Sequence, residues 1–149
     1  MALKIRPITP SDRLVWSAMR TELWPDAADA HRVEIDQFFA GESIDISAVL
    51  VADIDAQMAG FIELNLRSFA EGSRNSPVPY IEAWFVASEF RAQGVGRQLM
   101  ASAEHWALEN GYSEIASDTD LENRRSIAMH AHLGFRETER VVCFLKTLK

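Results

Sequence analysis

The first forty positions carry a helical rhythm. Leu14, Val15, Ala18, Met19 and Leu23 recur at the spacing of a helix that turns one face to a core. Thr9-Pro10-Ser11-Asp12 precedes them: Thr9 can cap, Pro10 suits a first turn, and Asp12 completes a capping-box-like pattern. Trp24-Pro25-Asp26 closes this helix, and a second is predicted over about 29–39 with Val33, Phe38 and Phe39 turned inward and Gly41 as its stop.

The pattern then shortens to that of strands. Residues 48–52 form a brief apolar run, and a polar turn over 53–57 follows. Residues 61–67 alternate, with Leu64 and Leu66 on one face and Glu63, Asn65 and Arg67 on the other. A loop rich in Gly, Ser, Asn and Pro spans 69–79, and 80–86 reads as the next strand. A strong helix is predicted over 94–110, with Val95, Leu99, Ala103, Trp106 and Ala107 as its inner face and Gly111 after it. A short strand at 115–118, a helix at about 122–132 closed by Gly134, and a last strand at 141–145 complete the series. Strands alternating with helices late in the chain imply parallel pairing there, and the early meander implies antiparallel pairing. The expectation is one α/β domain over 1–149 built on a mixed sheet.

Composition narrows the function classes. The chain has 149 residues and a net charge of −7, which disfavours nucleic acid and anionic membrane as partners and favours cationic ones. No apolar run approaches the roughly 20 residues of a membrane span, and no signal peptide is evident, so a cytoplasmic location is expected. One cysteine, Cys143, allows no intramolecular disulfide and builds no zinc site alone; no metal is expected.

Within the acidic background lies one basic turn, Arg91-Ala92-Gln93-Gly94-Val95-Gly96-Arg97, between a strand and a helix. Two glycines let successive backbone N–H groups converge at the positive end of the helix dipole, and two arginines add charge. This suits a pyrophosphate. No Gly-Lys-Ser/Thr follows, so the turn is not a Walker A loop; Leu99 stands where a dinucleotide fingerprint needs its third glycine.

Glu82-Ala83-Trp84-Phe85-Val86 followed by this turn resembles the acetyl-CoA motif of the GNAT superfamily, and Asn123-Arg124-Arg125-Ser126 through Leu133-Gly134-Phe135 resembles its second cofactor motif. The resemblance implies a mostly antiparallel mixed sheet whose central parallel strands splay, flanked by helices. It implies acetyl-CoA as cosubstrate, with backbone groups near Phe85 and Val86 on the pantetheine. The pyrophosphate then lies at Arg91, Gln93, Gly94, Val95, Gly96 and Arg97, and Asn123 lies near the pantetheine arm. Leu23-Trp24-Pro25-Asp26, Ser76-Pro77-Val78, Ala116-Ser117-Asp118-Thr119 and the segment from Gly134 to Val141 are similar to aminoglycoside 6′-N-acetyltransferases. The substrate so implied is a polycationic aminoglycoside, and the enzyme one that confers antibiotic resistance.

That substrate needs carboxylates to bind it and one group to take a proton. The resemblance implies Glu82, Asp118 and Glu139 in the pocket, with Glu82 as general base, directly or through a water, and the other two as ammonium anchors. Trp24 and Phe69 are candidate walls for a sugar ring; relatives often have tyrosine at Phe69. Many members of the superfamily place a tyrosine acid where this chain has His130. His130 either protonates the leaving thiolate or is a structural histidine. Cys143, in an apolar segment, reads as packing, so direct attack of the amine is expected. The apolar last strand and the resemblance imply a homodimer. A GNAT enzyme for another amine, and a non-catalytic acyl-CoA-binding module, remain alternatives.

Overall fold

The computed structural model describes residues 2–149. Five strands form one sheet in the order β1 (Leu3–Pro7), β2 (Ala48–Ile54), β3 (Gln57–Arg67), β4 (Val78–Val86) and β5 (Ala116–Ser117). All neighbours are antiparallel except β4 and β5, which run parallel. Helices α1 (Arg13–Leu23) and α2 (Ala28–Phe39) cover one face, and α3 (Val95–Glu109) covers the other. Helix α4 (Arg124–His132) follows β5.

The alternation of β3 divides the core. Phe61 packs with Trp16, Met19 and Ile35 on the α1/α2 face, together with Ala83 and Phe85 of β4. Ile62 and Leu64 pack with Leu99, Met100 and Ala103 of α3, together with Ile81. Trp16 is sealed by edge-on contacts with Phe38 and Phe39, at centroid distances of 5.5 and 5.7 Å. The cap at Thr9 forms as expected: its backbone N–H donates to Asp12 Oδ2 at 2.8 Å. Arg6 of β1 grips the same carboxylate with two bonds of 2.8 and 2.9 Å, tying the sheet edge to the helix start. Arg6, against the opposing cost of partial burial, holds the Asp12 carboxyl down to about 2.

Several sequence expectations are corrected. β1 is an additional strand, and β2 and β3 reach so far that the turn between them shrinks to Asp55 and Ala56. Leu14, Val15 and Val33 face solvent, at 83, 45 and 54% exposure. The inward positions include Arg20 and His31, whose polar groups serve a cavity described below. No strand forms over 141–145. β5 pairs at only two residues and offers no long edge, so Val142, Phe144 and Leu145 stand 71, 91 and 98% exposed. With that strand missing, the diverging parallel pair lies at the sheet edge and not at its centre. Cys143 is exposed and not packed. Among the described residues no helix is long and apolar enough to cross a membrane.

Leu99 is fully buried between α3 and the sheet. Leu99→Ala is expected to cost about 2–5 kcal/mol, from lost apolar burial and a residual cavity. Equilibrium urea unfolding checks this.

Candidate active site

The site begins with an irregularity in β4. Glu63 lies opposite Ala83 and Leu64 opposite Ile81, which leaves Glu82 as an extra residue without a cross-strand partner. Such a bulge breaks the two-residue alternation and re-aims the side chain. Glu82 therefore joins Ala83 on the α1/α2 face, where its side chain is 19% exposed and lines a cavity of about 620 Å³. Trp24 and Phe69 are also in its wall, at 36 and 64% exposure.

Glu82 is held from two sides. Arg67 donates to both its oxygens, at 2.7 and 2.6 Å, and the Asn65 amide donates at 3.2 Å. The Arg67 guanidinium lies 3.6 Å from the centroid of the Tyr80 ring. The Tyr80 hydroxyl donates to Asp118 at 2.9 Å. Burial and that bond both push the Tyr80 hydroxyl above its ordinary range. The Glu82 bond keeps Arg67 firmly charged.

Asp118 and Glu139 do not share the cavity of Glu82. They line a second one of about 350 Å³, with His130 and part of the chain after α4. The sequence-predicted residues thus fall into two groups, Trp24, Phe69 and Glu82 on one side and Asp118, Glu139 and His130 on the other. Among the described residues, Arg67 alone lines both cavities.

Sequence reasoning did not identify Arg67 or Glu63 as site residues. The alternation of β3 put them on one face with Asn65, but an alternating polar face ordinarily reads as solvated. Here Glu63 is buried, with a side chain 1% exposed. Trp16 Nε1 donates to its Oε2 at 3.0 Å, and Arg20 Nε makes an ion-pair contact at 3.0 Å. Arg20 Nη1 and His31 Nδ1 are buried without a protein partner among the described residues, and both side chains line the larger cavity. Burial pushes the Glu63 carboxyl up to about 7, against the opposing pull of Arg20 and the Trp16 bond.

The cofactor side lies at the other edge of β4. Pairing with β5 stops after Tyr80–Ala116 and Ile81–Ser117, so residues 82–86 have no strand on that side. Gly94 caps α3 at φ +82°, a conformation that favours glycine, and no side chain caps the helix. The first N–H groups of α3 therefore remain for a ligand. A side chain at Gly96 would meet only Trp84 and Val86, in ordinary contact. These groups fit a pyrophosphate and an extended arm beside β4. The arginines are turned elsewhere: Arg91 Nε donates to the Val86 carbonyl at 2.9 Å, and Arg97 reaches the His132 ring at 2.6 Å. Gln93 bonds the Glu89 carbonyl, and Phe85 is buried in the α1/α2 core. Asn123 caps α4, accepting from Ser126 N–H at 3.1 Å.

His130 is locked in place. Its ring lies edge-on to Trp84 and Phe135 at 5.3 and 5.2 Å. Nδ1 is 2.8 Å from the Ser126 carbonyl, which only accepts, so Nδ1 carries hydrogen. Nε2 lies 2.8 Å from the Ser117 hydroxyl, at the point where β4 and β5 part.

Comparison with known proteins gives the family. The sequence profile of the acetyltransferase (GNAT) family matches residues 13–135. The chain belongs to the GNAT acetyltransferase family. It is 42% identical to an aminoglycoside N(6′)-acetyltransferase type 1 of Klebsiella aerogenes, over 97% of this chain and 96% of that one. A protein of the same name from Stenotrophomonas maltophilia is 38% identical, over 97 and 94%. AAC(6′)-Iy, solved with the bisubstrate analog CoA-S-monomethyl-acetylneamine, superposes with a TM-score of 0.90 at 34% identity, covering 99% of this chain and 100% of that one. The 6′-N-acetyltransferase AAC(6′)-Ih of Acinetobacter baumannii gives 0.88 at 37% identity, with coverage of 99 and 100%.

Glu63 supplies a test of the site's electrostatics. Its folded carboxyl titrates at about 7 against an ordinary 4.5, so its stabilising contribution is complete below about 4.5 and lost as pH rises through about 7. Melting temperature should fall between pH 5 and pH 8 more in the unmodified protein than in Glu63→Gln. Parallel pH profiles would mean that Glu63 is ionised when folded.

Proposed function

We propose that this chain is an aminoglycoside 6′-N-acetyltransferase, which transfers acetyl from acetyl-CoA to an aminoglycoside amine and so confers resistance. The observation that carries the reading is the bulged Glu82. It aims a carboxylate into an acidic cavity on one face of β4, at the start of the stretch of β4 that has no strand on its other edge. The relatives named above supply the substrate class.

Acetyl-CoA supplies an activated thioester. The chain's contribution is binding, orientation and proton handling. The unpaired edge of β4 and the uncapped start of α3 receive the pantetheine and pyrophosphate, with Arg91, Gln93, Gly94, Val95, Gly96 and Arg97 at the phosphate end and Asn123 near the arm. Glu82 accepts the proton of the 6′ ammonium, directly or through water. Asp118 and Glu139 anchor other ammonium groups, and Trp24 and Phe69 flank the sugar. His130 stands where a thiolate acid acts in many relatives. With Nδ1–H committed to the Ser126 carbonyl, the neutral ring can only accept at Nε2, so a proton leaves Nε2 by way of Ser117 only from the imidazolium form. Transfer is direct, without an acyl-enzyme on Cys143. Acetyl-CoA is made and used in the cytoplasm, which is the compartment proposed.

A homodimer is proposed on separate grounds. After Phe135 the chain has no secondary structure, and it exposes Val142, Phe144 and Leu145 beside a sheet edge that ends in a two-residue strand. A second copy is suited to cover that segment, since the continuous apolar run over 141–145 would be buried in such a contact. Light scattering tests it, with truncation before Val141 expected to give monomer.

Kinetics with kanamycin test the assignments. Glu82→Gln is expected to lower turnover by roughly 10²–10⁴-fold. Asp118→Asn and Glu139→Gln are each expected to weaken kanamycin binding by about 1–3 kcal/mol while sparing acetyl-CoA. Gly94→Val is expected to raise the Kd for CoA in calorimetry, and Cys143→Ala to retain turnover. NMR of the product reads the position acetylated. No turnover of kanamycin, tobramycin or another aminoglycoside by the unmodified enzyme would return the chain to the wider GNAT class.

A further inference from the structure

We infer that Arg67 is a built-in stand-in for the substrate's ammonium group: it occupies Glu82 in the free enzyme, divides the two acidic cavities, and swings off Glu82 when a polycation binds. This rests on the reading of the site as one for a cationic amine and names the residue that controls entry to it.

Three observations carry the inference. First, Glu82 is already occupied. Arg67 and Asn65 make three bonds to its two oxygens, and the arginine is the cationic partner. A substrate ammonium brought to Glu82 would meet a fixed positive charge, so the two cations compete for one carboxylate. Second, among the described residues Arg67 is the one that lines both cavities, the larger holding Glu82 and the smaller holding Asp118. A substrate bound to both carboxylates must pass through the space that Arg67 fills. Third, Arg67 is able to move. Its side chain is 40% exposed and lies on the face of the Tyr80 ring, which offers a stacking surface but no directional bond. Tyr80 in turn donates to Asp118, so a second carboxylate lies at the far side of the same ring. Leaving Glu82 therefore does not strand the guanidinium: it retains the ring face, solvent and the field of Asp118.

The arrangement also answers a physical problem. A lone carboxylate in a partly enclosed cavity is costly to keep charged and takes up a proton or a stray cation. An intramolecular arginine balances and orders the Glu82 carboxylate without substrate. The cost is affinity, because each substrate must displace it.

The test combines Arg67→Gln, Arg67→Lys and a structure of the unmodified enzyme with ligand. In Arg67→Gln the KM for kanamycin is expected to fall about threefold to tenfold, the scale of one partly screened ion pair, and to fall more than kcat changes. Dependence of KM on sodium chloride should steepen, because the emptied pocket is more negative. Arg67→Lys keeps the charge but loses the two-pronged grip on Glu82 and the stacking on Tyr80, so its KM should lie between those of Arg67→Gln and the unmodified enzyme. An unchanged or raised KM in Arg67→Gln, with melting temperature and CoA affinity intact, would make Arg67 a fixed strut for Glu82 and overturn the exchange. If Arg67→Gln does not fold, the ligand complex decides. With kanamycin bound, the guanidinium should stand beyond about 4 Å from both Glu82 oxygens, and an intact pair would overturn the proposal. Spermidine, a polycation on another scaffold, separates this proposal from the functional reading. Displacement of Arg67 by spermidine with no kanamycin binding would sustain the exchange and remove the antibiotic reading. Kanamycin bound with the pair intact would do the reverse, and binding of neither would remove both.

Discussion

Between Ala83 and Val86, β4 is paired with β3 along one edge and has no strand along the other. A backbone that enters the body of a fold with one edge unpaired has donors and acceptors to satisfy, at about 1–3 kcal/mol for each group left buried and alone. The rest of the molecule is arranged around that requirement. Gly60, opposite Val86, has no room for a side chain because the Phe85 carbonyl lies where its Cβ would be, so β3 closes tightly on the paired edge. Arg91 turns back to satisfy the Val86 carbonyl at the end of the strand. α3 begins close by, with its own first N–H groups open. An extended ligand with amides and phosphates completes both sets at once.

The other face of β4 is governed by charge. On the face shared by β3 and β4 under the two helices, Glu63 is buried against Arg20 and the partly exposed Glu82 is paired with Arg67. Burying an unpaired charge is so unfavourable that the pairs must form together with the core. The chain thereby holds acidic groups in a cavity without protonating all of them. Glu63, the more deeply buried, is the one whose carboxyl is pushed upward.

The sequence was most legible where a single signal repeats. α3 has a long apolar period and a glycine at its start, and the basic turn before it has a spacing with few other readings. β1 was not legible, because Leu3–Pro7 alternates apolar residues with Lys4 and Arg6 over too short a span and ends in proline. The inner faces of α1 and α2 were misread in part: a valine normally outranks an arginine or a histidine for burial, yet Val33 is outside while Arg20 and His31 are inside. Their reason lies far along the chain, as with Trp16, whose indole reaches a carboxylate 47 residues away. The resemblance implied the carboxylates as one set in one pocket, whereas the structure divides them between two cavities. That separation follows from the bulge at Glu82 and from the reach of Arg67, and a shift in strand register leaves no mark in residue spacing. The last strand was legible as a pattern, but the fold gives it no edge to pair with.

The partition of the carboxylates bears on how such an enzyme evolves under drug pressure. Residues in separate cavities with no shared partner change binding independently, and their effects add. Substitutions around Trp24 and Phe69 can therefore reshape the larger cavity while the surroundings of Asp118 in the smaller one stay as they are. Selection can explore the two cavities one at a time, without first crossing a valley of inactive intermediates. Arg67 lines both cavities, so changes there are felt in both at once.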